Sequence, residues 1–313
     1  GIAVASVLAP GTGMQIDSQA VVEVKSEASI VQVILSIVPD NLFAAFVDMN
    51  MLGIIFIAVT FGIALLKLRD SPVYGDAAKQ VLTVVEGLNA ATMMIMRGVL
   101  HYLPIGIFAI VAGTVAKQGA DTITSLAGMV LVLYIALFVH AGLYVLAMLV
   151  SGVKLGNFIR HARTPVVTAF ATQSSSGTLP ITMNAASRMG LSDRVSSFIL
   201  PLGATINMDG AAIRIAISAV FAANVIGMPL DLMQMVQIVI VGTLATIGTA
   251  GVPGAGIVMI ATVFAQVGLP IETVALLAAI DALVGMGATA LNVTGDLVGA
   301  AIVGRSEKDD ASE

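Results

Sequence analysis

Long apolar runs without a charge constrain this chain more than any other feature. No Asp, Glu, Lys or Arg occurs from Ser125 to Val153, from Met49 to Leu66 or from Leu232 to Ile271. About 20 consecutive apolar residues cross a bilayer as a helix. The strict alternation of a lipid-facing barrel strand is absent. Only 11% of residues are charged and 58% are hydrophobic, against about 25% charged in a water-soluble domain. The expected class is an all-α integral membrane protein that passes the cell membrane several times.

Other classes fall away on composition. There is no cysteine, so no disulfide, thiolate or cysteine-held metal enters. His101, His140 and His161 are scattered, with none at metal-ligand spacing from another. A net charge of −5, with no basic residues interleaved with aromatics, argues against nucleic acid as a partner. The chain opens Gly-Ile-Ala-Val inside an apolar run, which reads as the end of a transmembrane helix begun earlier, over 1–9. An acidic loop over 10–28 follows, holding Asp17, Glu23 and Glu27 against Lys25 alone.

Next comes a broken region: Ile30–Val38 is stopped by Pro39, Leu42–Val47 is amphipathic, and Met49–Leu66 is a full span ended by Lys67, Arg69 and Asp70. A long helix is expected from Asp76 to Ala116, kinked at Pro104, and another span from Asp121 to Val153. Lys154, Arg160 and Arg163 are expected in the loop after it. The basic connections place those loops in the cytoplasm and the acidic 10–28 loop outside.

The second half is interrupted. Thr164–Ser187 carries no charge but is cut by Ser174-Ser-Ser-Gly-Thr-Leu-Pro180, and Leu232–Ile271 is cut by Gly248-Thr-Ala-Gly-Val-Pro-Gly-Ala-Gly256. Each half is too short to cross, so the expected form is two hairpins, 164–187 and 232–270, that dip in and return. Irregular backbone is tolerated at that depth only where protein or a water-filled cavity satisfies it. Each hairpin precedes a helix bearing polar groups, 193–224 with Asn207-Met-Asp-Gly210 and 272–303 with Asn292-Val-Thr-Gly-Asp296. Hairpin plus polar helix, twice, is an internal repeat of the kind that marks a transporter's binding site.

Charges inside apolar helices are functional candidates by default. Asp209, Arg214, Asp281 and Asp296 are the ones here. Asn292 and Asp296, four apart, share a helix face. Unwinding near Gly210 would free carbonyls around Gly203, Thr205 and Asn207. Carboxylate, amide, hydroxyl and carbonyl oxygens together suit a hard cation such as Na⁺. The alternative is that Asp209 and Asp296 each satisfy a local serine or backbone group. The serine tip has no nearby His or Lys base, which a nucleophile needs, so an enzyme is not expected.

These four motifs, Ser174–Pro180, Pro201–Gly210, Gly248–Gly256 and Asn292–Asp296, resemble the signature segments of the dicarboxylate/amino-acid:cation symporters, the glutamate-transporter family. The resemblance covers essentially the whole chain. It implies a glutamate-transporter-like fold with two re-entrant helical hairpins and inverted repeats, assembled as a homotrimer in membrane lipid. Residues 29–118 would be mainly scaffold, 119–304 mainly a transport domain moving as an elevator, and 305–313 a cytoplasmic tail. Sodium would be the transported coupling ion. One site would use Gly203, Asn207, Asn292 and Asp296, a second Thr205, Thr246, Ile247 and Thr249, and a third Asn207 and Asp209. Substrate carboxylate would meet Ser175, Ser176, Asn292 and backbone at Val252–Gly254, with Thr289 alongside.

Departures from the family pattern bear on the substrate. Acidic-amino-acid carriers have an arginine where this sequence has Ala288 and an aspartate where it has Gly285; Ala211 replaces their usual threonine. Arg214 stands where an aromatic is usual. It is expected either to clamp a carboxylate, bidentate binding being suited to arginine, or to pair with Asp209 or another acid. The function expected is sodium-coupled import of a small carboxylate, a dicarboxylate, other organic anion or amino acid. A passive anion channel, a proton-coupled carrier and a non-transporting remnant are the alternatives.

Overall fold

The structure, a computed structural model, describes residues 1–12, 38–47, 51–118, 121–228, 230–247, 249 and 251–310. Most of the expected acidic loop and of the Ile30–Val38 run lies outside the described residues. Every regular element among them is helical: α1 (Ile2–Leu8), α2 (Leu42–Val47), α3 (Met51–Arg69), α4 (Gly75–Gln118), α5 (Asp121–Val150), α6 (Leu155–Thr172), α7 (Ser175–Arg188), α8 (Asp193–Ile206), α9 (Asp209–Val225), α10 (Leu232–Thr246), α11 (Ala255–Val267), α12 (Glu272–Ala279) and α13 (Asp281–Asp310). The chain divides into two compact units, Ser26–Ile110 and Gly1–Lys25 with Val111–Glu313.

In the 26–110 unit, Asn41 caps α2 by accepting from the Phe43 and Ala44 amides at 2.9 and 3.1 Å. α3 ends at Arg69, where the charged Lys67–Asp70 group was expected to reach water. Ser71 then accepts from the Val73 and Tyr74 amides, turning the chain into α4. Large apolar side chains face outward here, with Phe43 84% and Phe61 58% exposed, as lipid or another apolar surface requires.

The other unit is built around α13, which packs on α5, α6, α7, α8 and α9. α9 is buried along nearly its whole length, as a helix apolar all round must be. Among the described residues three segments are long and apolar enough to cross a membrane, Ile123–Val150, Asp193–Val225 and Asp281–Ser306. The first is only 28% buried and the other two are 78% and 67% buried. Thus α5 turns apolar surface outward, Leu131 and Phe138 included, while the other two are interior.

The helix breaks differ from the sequence expectation in informative ways. α6 begins at Leu155, so Arg160 and Arg163 lie on the exposed face of a helix rather than in a loop. The first interruption is the Gln173–Ser174 pair alone. Gln173 takes a left-handed φ of 52°, and Ser174 is extended and caps α7 through its Oγ. Ser175 to Pro180 are therefore helical. The expected interruption over Ser174–Pro180 is thus confined to its first residue and the one before it, and Pro180 lies inside α7. The expected 193–224 helix is unwound at Asn207 and Met208, beside Gly210 as foreseen. The expected single 272–303 helix is split at Ile280, which places Asp281 at the N-terminus of α13. A carboxylate is favoured at that end by the helix dipole. α13 also runs on to Asp310.

Close backbone approach holds α9 against α13. A side-chain carbon added at Gly210 would overlap the Ala288 carbonyl, whereas one added at Gly299 would meet nothing within 4 Å. Gly210→Ala is expected to lower stability by about 2 kcal/mol or more, since backbone cannot step aside as a side chain can. Gly299→Ala is expected to leave stability unchanged or raised by up to about 1 kcal/mol. Thermal unfolding in detergent checks the pair.

Candidate functional site

Four helix interruptions meet in one place. The turn between α6 and α7 touches the segment between α10 and α11: Ser174 Oγ donates to the Gly251 carbonyl at 2.8 Å, and the Ser176 amide donates to the same oxygen at 3.2 Å. A side chain at Gly251 would overlap Ser175 Oγ, so only glycine lets the two tips close. Beneath them lies a cavity of about 40 Å³, walled by Ser175, Arg214, Val252, Gly254, Thr289 and Asn292 among others. It holds a few water-sized spheres, each needing roughly 10–15 Å³.

Arg214 is the charged residue of that wall. It is 5% exposed, and Asp281, 3% exposed, accepts a hydrogen bond from its Nη2. Its Nε is buried with no hydrogen-bond partner. Glycines make room for the group: a side chain at Gly256 would overlap the guanidinium, and one at Gly285 would lie 2.5 Å from Gln173 Oε1 and 3.8 Å from Arg214 Nη1. The partner of Arg214 is thus Asp281, not Asp209, and the same guanidinium borders the cavity.

Behind Asn292 stands a cluster of oxygens. Asn207 Nδ2 donates to Asp296 Oδ1 and to the Asn292 carbonyl, both at 3.0 Å. Asn292 Oδ1 accepts from the Gly210 amide at 2.7 Å. Gly203 adjoins Asp296, since a carbon added to it would sit 2.6 Å from Oδ1. Gly203, Asn207, Asn292 and Asp296 are therefore together, as expected. Asp209 points to α5, where Tyr144 donates to its Oδ2 at 2.5 Å and His140 Nε2 lies 3.1 Å from the same oxygen. The described residues gather no group of three His, Cys, Asp or Glu. A cation held at Asp296 would rest on one carboxylate with amide and carbonyl oxygens.

In the second expected set the Thr249 amide donates to the Thr246 carbonyl at 3.4 Å, and no described hydrogen bond ties Thr205 to the others. Thr205 donates to the Leu202 carbonyl, Thr246 to Thr243 and Thr249 to Ala245, each within its own turn. Ile247 ends α10. Ser176 is spent on the tip contact and does not line the cavity. Residues the sequence reading passed over are Gln173, which borders the cavity, and His140 and Tyr144. The last two are four apart in an uncharged span, a spacing that puts them on one face and could have flagged them.

Because the sequence has no cysteine, the tip contact can be probed with one thiol. Ser175→Cys, buried at 2% exposure in the parent residue, is expected to label slowly with a maleimide. Adding Ser174→Ala removes about 1 kcal/mol of hydrogen bonding. That is expected to raise the labelling rate roughly fivefold.

The sequence matches the model of the sodium:dicarboxylate symporter family over residues 1–306. It is 30% identical to a proton/sodium-glutamate symport protein of Bacillus subtilis over 98% of this chain and 72% of that protein. It is 30% identical to a proton/glutamate-aspartate symporter of Escherichia coli over 98% of this chain and 72% of that one. It is 36% identical to the neutral amino acid transporter B(0) of Rattus norvegicus over 82% of this chain and 46% of the relative. The chain belongs to the sodium:dicarboxylate symporter family.

Proposed function

We propose that this member of the sodium:dicarboxylate symporter family carries a small carboxylate-bearing solute through a membrane, driven by sodium moving with it. The observation that carries the reading is Asn292. Its side chain lines the cavity, while its Oδ1 is tied to Gly210 and its carbonyl to Asn207 beside Asp296. One residue thus belongs to both the solute wall and the oxygen cluster. A cation that orders the cluster also orders the wall, and linkage then makes each ligand favour the other.

In this reading the Asn207 amide nitrogen occupies a cation's place, bridging two oxygens. Sodium entering there turns the amide to offer its oxygen. Ser175, Asn292 and Thr289 hold the carboxylate. The pairs α6–α7 and α10–α11 serve as re-entrant hairpins, because α10 at 15 residues spans only about 22 Å of a core about 30 Å thick. Parting of the Gly251 contact opens the site. By the family resemblance residues 119–304 move as an elevator and residues 29–118 are mainly scaffold, whose exposed apolar side chains suit lipid and a trimer interface. Basic connections facing the cytoplasm fix the orientation.

A proton-coupled version is favoured by one observation, the imidazole of His140 set on the Asp209 carboxylate. Relatives named as a proton/sodium-glutamate symport protein and a proton/glutamate-aspartate symporter support that version too. Purified protein in proteoliposomes decides. An inward sodium gradient at equal pH is expected to drive uptake of a carboxylate against its gradient. Asp296→Asn is expected to weaken sodium's half-saturation roughly tenfold or more, one charged contact being worth about 1.5–3 kcal/mol. Uptake that follows a pH gradient and ignores sodium overturns the sodium reading.

A further inference from the structure

A second cavity, of about 280 Å³, lies within the 111–313 unit and shares no lining residue with the solute cavity of about 40 Å³. It approaches the roughly 300 Å³ at which small-molecule sites begin. Its walls come from the ends of membrane-length segments. Gly152, Val153 and Lys154 follow Ile123–Val150, Leu191 precedes Asp193–Val225, and Gly304 and Arg305 stand in the last turn of Asp281–Ser306. Three segments able to cross a bilayer thus start or stop at this cavity, which sets it at one membrane surface. The basic connections mark that surface as the cytoplasmic one.

The cavity is held in shape from below. Gly152, with φ 69°, turns the chain out of α5, and the Val153 amide returns to the Met148 carbonyl at 2.9 Å. Asn157 Nδ2 donates to the Met189 carbonyl at 3.1 Å, tying α6 to the turn before α8. Phe158 is buried, and Val153 and Leu191 pack on the same apolar core. The floor is therefore fixed and apolar.

Its charge is of one sign. Lys154 and Arg305 line the cavity, and its described lining residues include no Asp or Glu. A carbon added at Gly152 would lie 3.9 Å from Arg305 Nε, so the guanidinium stands against the turn that carries Lys154. Two like charges beside apolar walls attract an anion more strongly than they would in open water. Lysine meets phosphate as a point charge and arginine as a fork. A free anion would gain nothing from the apolar floor, whereas an anion carrying hydrocarbon gains from both.

We propose that this cavity binds the phosphate headgroup of an anionic phospholipid of the cytoplasmic leaflet. Lys154 and Arg305 hold the phosphate, and the glycerol end of the acyl chains lies on Val153, Phe158 and Leu191. Basic pockets between transmembrane helices at that surface suit such headgroups. The site involves neither the solute wall nor the oxygen cluster, so it stands or falls apart from the symporter reading.

Native mass spectrometry of the full-length protein in detergent, titrated with phosphatidylglycerol or phosphatidylcholine, tests it. Phosphatidylglycerol is expected to bind roughly tenfold or more tightly, two basic groups at an anionic headgroup being worth at least that. Lys154→Gln/Arg305→Gln is expected to abolish the preference. Arg160→Gln/Arg163→Gln removes the same charge from the exposed face of α6 and is expected to keep it. No preference in the parent protein overturns the proposal, and so does an equal loss in the two double variants, which would mark diffuse attraction. Should the first variant not fold, Lys154→Gln alone is expected to weaken phosphatidylglycerol binding roughly fivefold; an unchanged affinity overturns the role of Lys154. Inorganic phosphate, the soluble source of the same group, is expected not to displace the lipid at equal concentration. Displacement overturns the assignment to lipid.

Discussion

A helix broken inside an apolar layer leaves amide and carbonyl groups that no water or lipid will satisfy, and this constraint organises the whole 111–313 unit. Each break finds its partners in another break. The Ser174–Ser176 turn bonds the Gly251 carbonyl, and the start of α9 at Gly210 bonds the Asn292 side chain. The unwound Asn207 reaches Asn292 and Asp296. Breaks scattered over more than a hundred residues of sequence are pulled to one locus because only there are their polar groups answered. The candidate site is the by-product of that requirement.

Glycine allows the answers to be short. Gly210 lets α9 lie on the α13 backbone, Gly203 admits Asp296, Gly251 lets the tips close, and Gly256 accepts the Arg214 guanidinium. In each case a single added carbon would push apart groups that are now in contact. The buried Arg214–Asp281 pair adds a second kind of constraint. Such pairs contribute little net stability beside an apolar replacement, and this one leaves the guanidinium that borders the cavity matched by a carboxylate.

Much of this could be read from the residues alone. Uncharged runs gave the membrane class, and Gly248–Gly256 and Asn207–Gly210 announced two of the interruptions. The resemblance of four motifs pointed to the family that the match over residues 1–306 shows. The Asn207, Asn292 and Asp296 cluster followed from helical spacing and the family pattern. What was not legible was pairing at a distance. Asp281 lies 67 residues from Arg214, at a helix break marked by no Gly or Pro, so nothing local tied them. The Gln173 turn was hidden for a related reason: a left-handed glutamine breaks the rule that such turns use glycine. His140 and Tyr144 were obscured by the apolar run around them, although their spacing placed both on one face.

The central claim is that cation cluster and solute wall are one structure joined at Asn292. The most direct test is the affinity for the bound carboxylate, measured calorimetrically across sodium concentrations, and the affinity for sodium, measured with and without that carboxylate. The account predicts that each ligand tightens the other by the same factor, roughly five- to a hundredfold, the usual range for coupled sites. Affinities that do not depend on the other ligand would contradict it.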